Sequence, residues 1–247
     1  PAQCTNYLHD NSGLSLYDRI TDSLGIARGT KDDNAIALAK LAIAMEYTSM
    51  GSIVIRSGDE MGYSSSQSSA LDWNNLITYS DLHAYYSGLI QLRKTISKLT
   101  SGSTSSYSDF VFGTSSTDQI AYVINNGGNN EWNKIAVMYN NSDSAKWITL
   151  SDTSTDKWVI VANNEDAGFE TLKTVSGNSF SVPAHTAVIA ADAESYYNTD
   201  VVSDMRSITF KYVDENGKEL KTADVLRGRP LRNYNFTSLP HGIKNYT

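Results

Sequence analysis

The stretch that most constrains the fold of this chain is residues 33–56. Within 33–50, Ala35, Ile36, Leu38, Ala39, Leu41, Ala42, Ile43 and Met45 recur at helical spacing and cover a broad apolar face. Asp32 or Asp33 can cap this helix by accepting from its first free N–H groups. So wide an apolar surface predicts a helix laid on a sheet. Gly51 stops it, and residues 52–56 (Ser-Ile-Val-Ile-Arg) form a short β-branched run of the kind that makes a buried parallel strand. Gly58, Asp59 and Glu60 follow where that strand ends. A second helix is predicted over 80–96, opened by Ser80 or Asp81, with Leu82, Tyr85, Tyr86, Leu89, Ile90 and Arg93 on one face. Residues 5–8 read as a short strand. Helix, strand, loop, helix is the grammar of an α/β fold.

The pattern changes after residue 99. Residues 100–108 are a Ser- and Thr-rich loop, and short strand-like runs then recur at 109–113, 119–125, 134–140, 146–151, 157–163, 179–183 and 186–191. Turn residues separate them, among them Asn125, Asn126, Gly127 and Gly128. This spacing predicts an antiparallel β-sandwich. A polar linker is expected at 194–206. Residues 207–213 alternate like a strand and run into the turn Asp214-Glu215-Asn216-Gly217. The part from 207 to 247 is short for an independent module and reads as a truncated β-rich one.

Charge and cysteine usage narrow the classes of function. The 247 residues carry a formal net charge of -7, which argues against nucleic acid as a main partner, because phosphate binding needs clustered Lys and Arg. A single cysteine, Cys4, permits no intrachain disulfide. No apolar run approaches the ~20 residues that span a bilayer, so no membrane span is expected. Pro1 begins no signal peptide, and a targeting signal would lie upstream. His83, His185 and His241 stand apart from Cys4 and from carboxylates at ligand spacing, so a zinc site is not expected. Gly-rich phosphate loops are absent from the sequence.

Six segments, in order, resemble the end of the catalytic barrel in the type I pullulanase branch of the α-amylase superfamily. Asn6-Tyr7-Leu8-His9-Asp10-Asn11 looks like the conserved region that ends the seventh barrel strand in His-Asp-Asn, and Leu16-Tyr17-Asp18-Arg19-Ile20 like the stretch after it. The helix over 33–50 with Gly51 to Ile55 is similar to the seventh helix and eighth strand. Gly58-Asp59-Glu60-Met61, Ala70-Leu71-Asp72-Trp73 and residues 85–94 match later motifs of the family. Residues 120–123, 158–168 and 182–184 resemble the β-domain that follows the barrel. Residues 212–217 resemble the opening of mucin-binding-type repeats on surface proteins of Gram-positive bacteria.

The resemblance implies α/β plus all-β architecture: the last strands and helices of a (β/α)8 barrel at 1–99, a β-sandwich at 100–193, a linker at 194–206 and a truncated module at 207–247. It implies a retaining glycosidase acting on α-1,6 branch linkages of an α-glucan polysaccharide such as pullulan, starch or glycogen. Such enzymes work between two carboxyl groups, a nucleophile and a general acid. In the family both precede the region matched here, so the N-terminal part of the same protein is an expected partner and this chain alone is expected to be inactive. Asp10 is implied as the transition-state stabiliser, with His9 and Asn11 beside it on the sugar. The family has two more residues between its Asn-Tyr pair and His-Asp-Asn. A gap-free alignment would put Asn11 and Ser12 at the His and Asp positions, whereas a two-residue shift keeps the facing of strand side chains and selects His9 and Asp10.

Asp59 and Glu60 stand at a strand's C-terminal end, where such a barrel carries its site, and read either as a rim contact or as a charged loop start. Trp73 reads as rim-lining or as a loop anchor, and Tyr17 as packing. Trp132, Trp147 and Trp158 could form a sugar-binding face, though alternating strand aromatics usually pack in cores. No cofactor is implied beyond calcium, frequent in the superfamily, for which this segment shows no ligand loop. The location implied is extracellular, secreted or attached to the surface of a Gram-positive bacterium. Competing expectations are an α-1,4-acting amylase or glucanotransferase, or a non-catalytic carbohydrate-binding or surface-display fragment.

Overall fold

The computed structural model describes residues 5–9, 13–66, 70–100, 108–127, 130–199 and 206–228. The chain opens on β1 (Thr5–Tyr7), followed by α1 (Leu16–Ser23), α2 (Asp33–Tyr47) and β2 (Ser52–Val54). β1 and β2 pair in parallel, Thr5 with Ser52 through Tyr7 with Val54. Ser15 and Asp18 form a reciprocal capping box at the start of α1, and Asp32 accepts from the Ala35 N–H at 2.9 Å to start α2. α2 stops at Tyr47, three residues before the expected end. There the Thr48 and Ser49 hydroxyls bond back to the Ala44 and Met45 carbonyls, and Gly51 supplies the φ of +105° that turns the chain into β2.

β2 departs from the expected buried strand. It pairs on one side only, among the described residues, and leaves Val54 and Ile55 well exposed. The ladder is short because β1 offers only three residues, so Ile55 and Arg56 leave the strand. A 3-10 turn at Asp59–Met61 comes next, then the helices α3 (Asn75–Thr78), α4 (Ser80–Thr95) and α5 (Ser97–Thr100).

The remaining strands up to residue 192 are β3 (Phe110–Ser115), β4 (Gln119–Asn125), β5 (Lys134–Asn140), β6 (Lys146–Thr149), β7 (Lys157–Ala162), β8 (Lys173–Ser176), β9 (Ser179–Val182) and β10 (Thr186–Asp192). Six of them make one antiparallel sheet in the order β3-β4-β5-β10-β7-β8, and β6 and β9 pair as a separate two-stranded layer. Every residue of β10 is buried because both its faces are covered. Val188 and Ala190 meet Ile148, Phe180 and Val182 of the small layer. Ala187, Ile189 and Ala191 face the helices, in one core with Ile43, Tyr47, Tyr85, Leu89 and Leu92. Each large apolar side chain so buried contributes about 1.5–3 kcal/mol.

The α/β and all-β regions therefore share a core across the expected boundary near residue 99. Polar bonds reinforce the seam. Buried Lys40 of α2 donates to the Asn164 and Glu165 carbonyls at 3.2 and 3.3 Å and lies 5.3 Å from the Tyr85 ring centre. Tyr122 donates to the Thr48 carbonyl at 3.2 Å and shares a hydroxyl network with Tyr139 and Thr48.

Two elements differ from the sequence reading. Residues 194–198, expected as the start of a linker, lie in α6 (Ala193–Asn198): Asp192 caps it, and buried Tyr196 packs on Trp132 and donates to the Phe169 carbonyl at 2.6 Å. Strand β8 was not expected at all. Beyond, β11 (Arg206–Val213) and β12 (Glu219–Gly228) form a hairpin around the Asp214–Gly217 turn, whose Asp214 carboxylate accepts from the Asn216 and Lys218 N–H groups. Arg227 ties the hairpin to the body, donating to the Tyr196 and Thr199 carbonyls at 2.7 Å. Residues 229–247 lie outside the described residues.

Gly88 tests the seam. A Cβ there would stand 1.8 Å from the Ala167 carbonyl oxygen, a backbone atom with no freedom to swing away. Gly88→Ala is expected to cost about 3 kcal/mol or more in urea denaturation, the upper range of overpacking, although alanine is otherwise the better helix former.

Candidate active site beyond the parallel strand pair

Of the sequence-predicted residues that fall among those described, His9 and Asp59 meet where β1 and β2 end. His9 lies two residues past β1, and Asp59 opens the 3-10 turn after β2. Its Oδ2 is 3.9 Å from His9 Nδ1, too far for a hydrogen bond but close enough for a protonated imidazole to favour the carboxylate. Asp59 is only 6% exposed, and its Oδ1 has no hydrogen-bond partner among the described residues. Burial pushes its carboxyl up, while His9, the Leu16 N–H and Arg56 pull it back. Tyr7, 62% exposed, meets the His9 ring edge-on with centroids 6.4 Å apart. His9 thus has a buried carboxylate on one side and an open phenol ring on the other.

Glu60 turns away from this cluster, accepting from the Gly58 N–H at 2.9 Å within its own turn. Trp73 stands on the segment before α3 and is 68% exposed. That segment joins the turn through Leu71: a Cβ on Gly58, whose φ is +101°, would lie 2.8 Å from Leu71 Cδ2. Asp10 and Asn11 lie outside the described residues, so the His-Asp-Asn motif is represented here by His9 alone.

The scaffold around the cluster contains residues that sequence reasoning missed. Asp18 is fully buried, yet its carboxylate takes Ser64 Oγ at 2.5 Å, Ser65 N at 2.8 Å and Ser65 Oγ at 2.7 Å besides its capping bond. Burial would raise its pKa, but these bonds prevail and hold it below the usual carboxylate value. Asp18 thereby pins the loop after the 3-10 turn to α1. The Ser-x-x-Asp capping pattern at 15–18 was the readable signal. Glu46 is the second case. It is 7% exposed, its Oε1 has no partner among the described residues, and burial, with Asp59 nearby, pushes its pKa up to about 7 against the pull of Arg93. No sequence signal marks it, because its burial comes from tertiary packing.

The remaining candidates resolve by burial. Tyr17 is buried and donates to the Thr30 carbonyl at 3.1 Å. Trp132 and Trp158 are in the core, and Trp147 alone of the three is open, at 74% exposure, so they form no common face. His185 pairs with Asp143 at 3.0 Å on the surface, and His241 is outside the described residues. Among the described residues no group of three or more His, Cys, Asp or Glu could hold a metal ion. Nor is any helix there long and apolar enough to cross a membrane.

No protein-family model and no curated protein sequence matches the chain. Solved structures do. A pullulanase from Bacillus acidopullulyticus aligns over 77% of this chain and 24% of its own, at 24% identity and a TM-score of 0.66. Type I pullulanase from Bacillus subtilis str. 168, complexed with maltose, aligns over 76% of this chain and 27% of its own, at 19% identity and a TM-score of 0.66. The catalytic module of the multi-modular glycogen-degrading pneumococcal virulence factor SpuA aligns over 78% and 36%, at 16% identity and a TM-score of 0.62. The chain thus has the fold of a part of these proteins and spans about a quarter to a third of their length.

Glu46 carries a pH signature. A carboxyl raised in the folded state stabilises the fold below its unfolded value, near 4.5, and that contribution is lost as pH rises through about 7. Glu46→Gln removes the titration. The variant is expected to be more stable than the parent at pH 8, with the gap closing below pH ~4.5, in unfolding curves taken across that range.

Proposed function

We propose that this chain is the closing part of a retaining glycoside hydrolase that cleaves α-1,6 branch linkages in pullulan, starch or glycogen. In this reading a preceding segment of the same protein supplies the nucleophile and general acid and completes a (β/α)8 barrel around β1 and β2. The observation that carries it is the His9–Asp59 pairing at the C-terminal ends of two parallel strands, the end at which such barrels hold their chemistry. The pullulanase-like fold supports the assignment, as does the maltose in one neighbour's structure.

The open strand pair supports the need for a completing segment. Two parallel strands beside exposed Tyr7, Val54 and Ile55 have edges unpaired among the described residues and apolar surface that further strands would cover. Within the site, the Asp59 carboxylate lies on the Nδ1 side of His9, and the imidazole offers its ring nitrogens to a sugar hydroxyl. Asp10 follows His9 directly and serves as the transition-state stabiliser, gripping hydroxyls more strongly as the ring distorts. Asn11 assists on the same sugar, and exposed Trp73 offers a stacking face on the rim. The acidic partner-free chain alone, without two paired carboxylates, is inactive in this reading. The location proposed is extracellular, secreted or attached to the surface of a Gram-positive bacterium.

Incubation of the polypeptide including its preceding segment with pullulan tests this. Release of maltotriose is expected, with kcat lowered by about 100-fold or more in Asp10→Ala and about tenfold in His9→Ala. Attack on amylose with pullulan left intact would replace the α-1,6 reading with the α-1,4 one. Binding to glucan without any product would make the chain a carbohydrate-binding module.

A further inference from the structure

Arg56 leaves β2 and reaches across to the loop that returns from β1. Its Nη1 donates to the Gly13 and Leu14 carbonyls at 3.2 and 3.0 Å, and its guanidinium lies 5.3 Å from the centre of the Tyr63 ring. Leu14 leads directly into Ser15 and Leu16, and the Leu16 N–H bonds the Asp59 carboxylate. One side chain thus joins the end of β2, the stretch between His9 and α1, and the loop after the 3-10 turn.

We propose that Arg56 is a positioning residue for the site: its guanidinium holds the Gly13 and Leu14 carbonyls against the end of β2, and so the Leu16 N–H on the Asp59 carboxylate and the placement of Asp59 relative to His9. This rests on the hydrolase reading above. Arginine suits the role because a planar guanidinium can bond carbonyls in its plane while an aromatic ring covers its face, which an ammonium cannot match. The fold does not depend on it, since α1 is independently pinned by Asp18 to Ser64 and Ser65. Arg56 also favours the charged form of Asp59, so its removal should raise the pH at which that carboxyl ionises.

The test uses the polypeptide with its preceding segment, and pullulan as substrate. In Arg56→Ala, kcat is expected to fall by about 10- to 100-fold, as for a contact displaced by ~1 Å, with KM and the unfolding midpoint little changed. The acid limb of the pH profile should move upward. Arg56 lines an open cleft of about 450 Å³, so added guanidinium ion can enter the vacated space and is expected to restore part of the rate. Arg56→Lys should remain depressed. If Arg56→Ala does not fold, Arg56→Gln carries the same comparison.

A variant with parental kcat and pH profile would overturn the clamp and leave the hydrolase reading standing. A rate loss that follows a lowered unfolding midpoint and ignores guanidinium would assign Arg56 to general stability and overturn it too. A parent polypeptide inactive on every α-glucan would overturn the hydrolase reading and the clamp with it.

Discussion

The structure depends on one guanidinium. Arg93 of α4 donates to the carbonyls of Tyr47 and Ser49 at 2.7 Å, to that of Gly51, and more weakly to that of Leu99. These oxygens belong to the end of α2, the turn into β2 and the end of α5. A helix leaves its last carbonyls unsatisfied, and here they are buried or half-buried; an unpaired oxygen costs about 1–3 kcal/mol when fully buried. Arg93 answers several at once. In doing so it fixes the angle at which α2 hands the chain to β2, hence the register of β2 on β1, hence the meeting of His9 and Asp59. Burial lowers the pKa of Arg93, and Glu46 opposes the change, so the partly titrating carboxyl of Glu46 also belongs to this joint.

The same helices that frame the strand pair close one face of the six-stranded sheet. Gly88 lets α4 press against the Ala167 loop, and Lys40 ties α2 to the Asn164 and Glu165 carbonyls. The β-region is therefore a wall against which α2 and α4 are held rather than an appended module. A site carried on three-residue strands gains its rigidity from that wall.

Much of this was legible in the residues. α2 and α4 are marked by apolar spacing, and β4 and β5 match the strand-like runs at 119–125 and 134–140 to the residue, because strands covered on both faces carry near-continuous apolar runs. β8 escaped notice: as an edge strand, Lys-Thr-Val-Ser needs little apolar content. α6 hid in a polar stretch because its stability comes from Asp192 and from Tyr196 packing on Trp132 rather than from periodicity. The site was readable as motifs, not as geometry. His9 and Asp59 each sat at a strand end in the sequence reading, but their 3.9 Å approach follows from the parallel pairing of β1 and β2. Asp18, Arg56 and Arg93 act through backbone atoms far away in sequence, which no local pattern encodes.

In the proposed hydrolase, β1 and β2 belong to a larger parallel sheet that strands from a preceding segment would complete. Backbone amide hydrogen exchange measures this directly. In the chain alone, the amides of Thr5–Tyr7 and Ser52–Val54 should exchange rapidly while those of β4, β5 and β10 stay protected, and joining the preceding segment should bring the two short strands to comparable protection. Protection of β1 and β2 in the isolated chain equal to that of β10, unchanged by the added segment, would contradict the account.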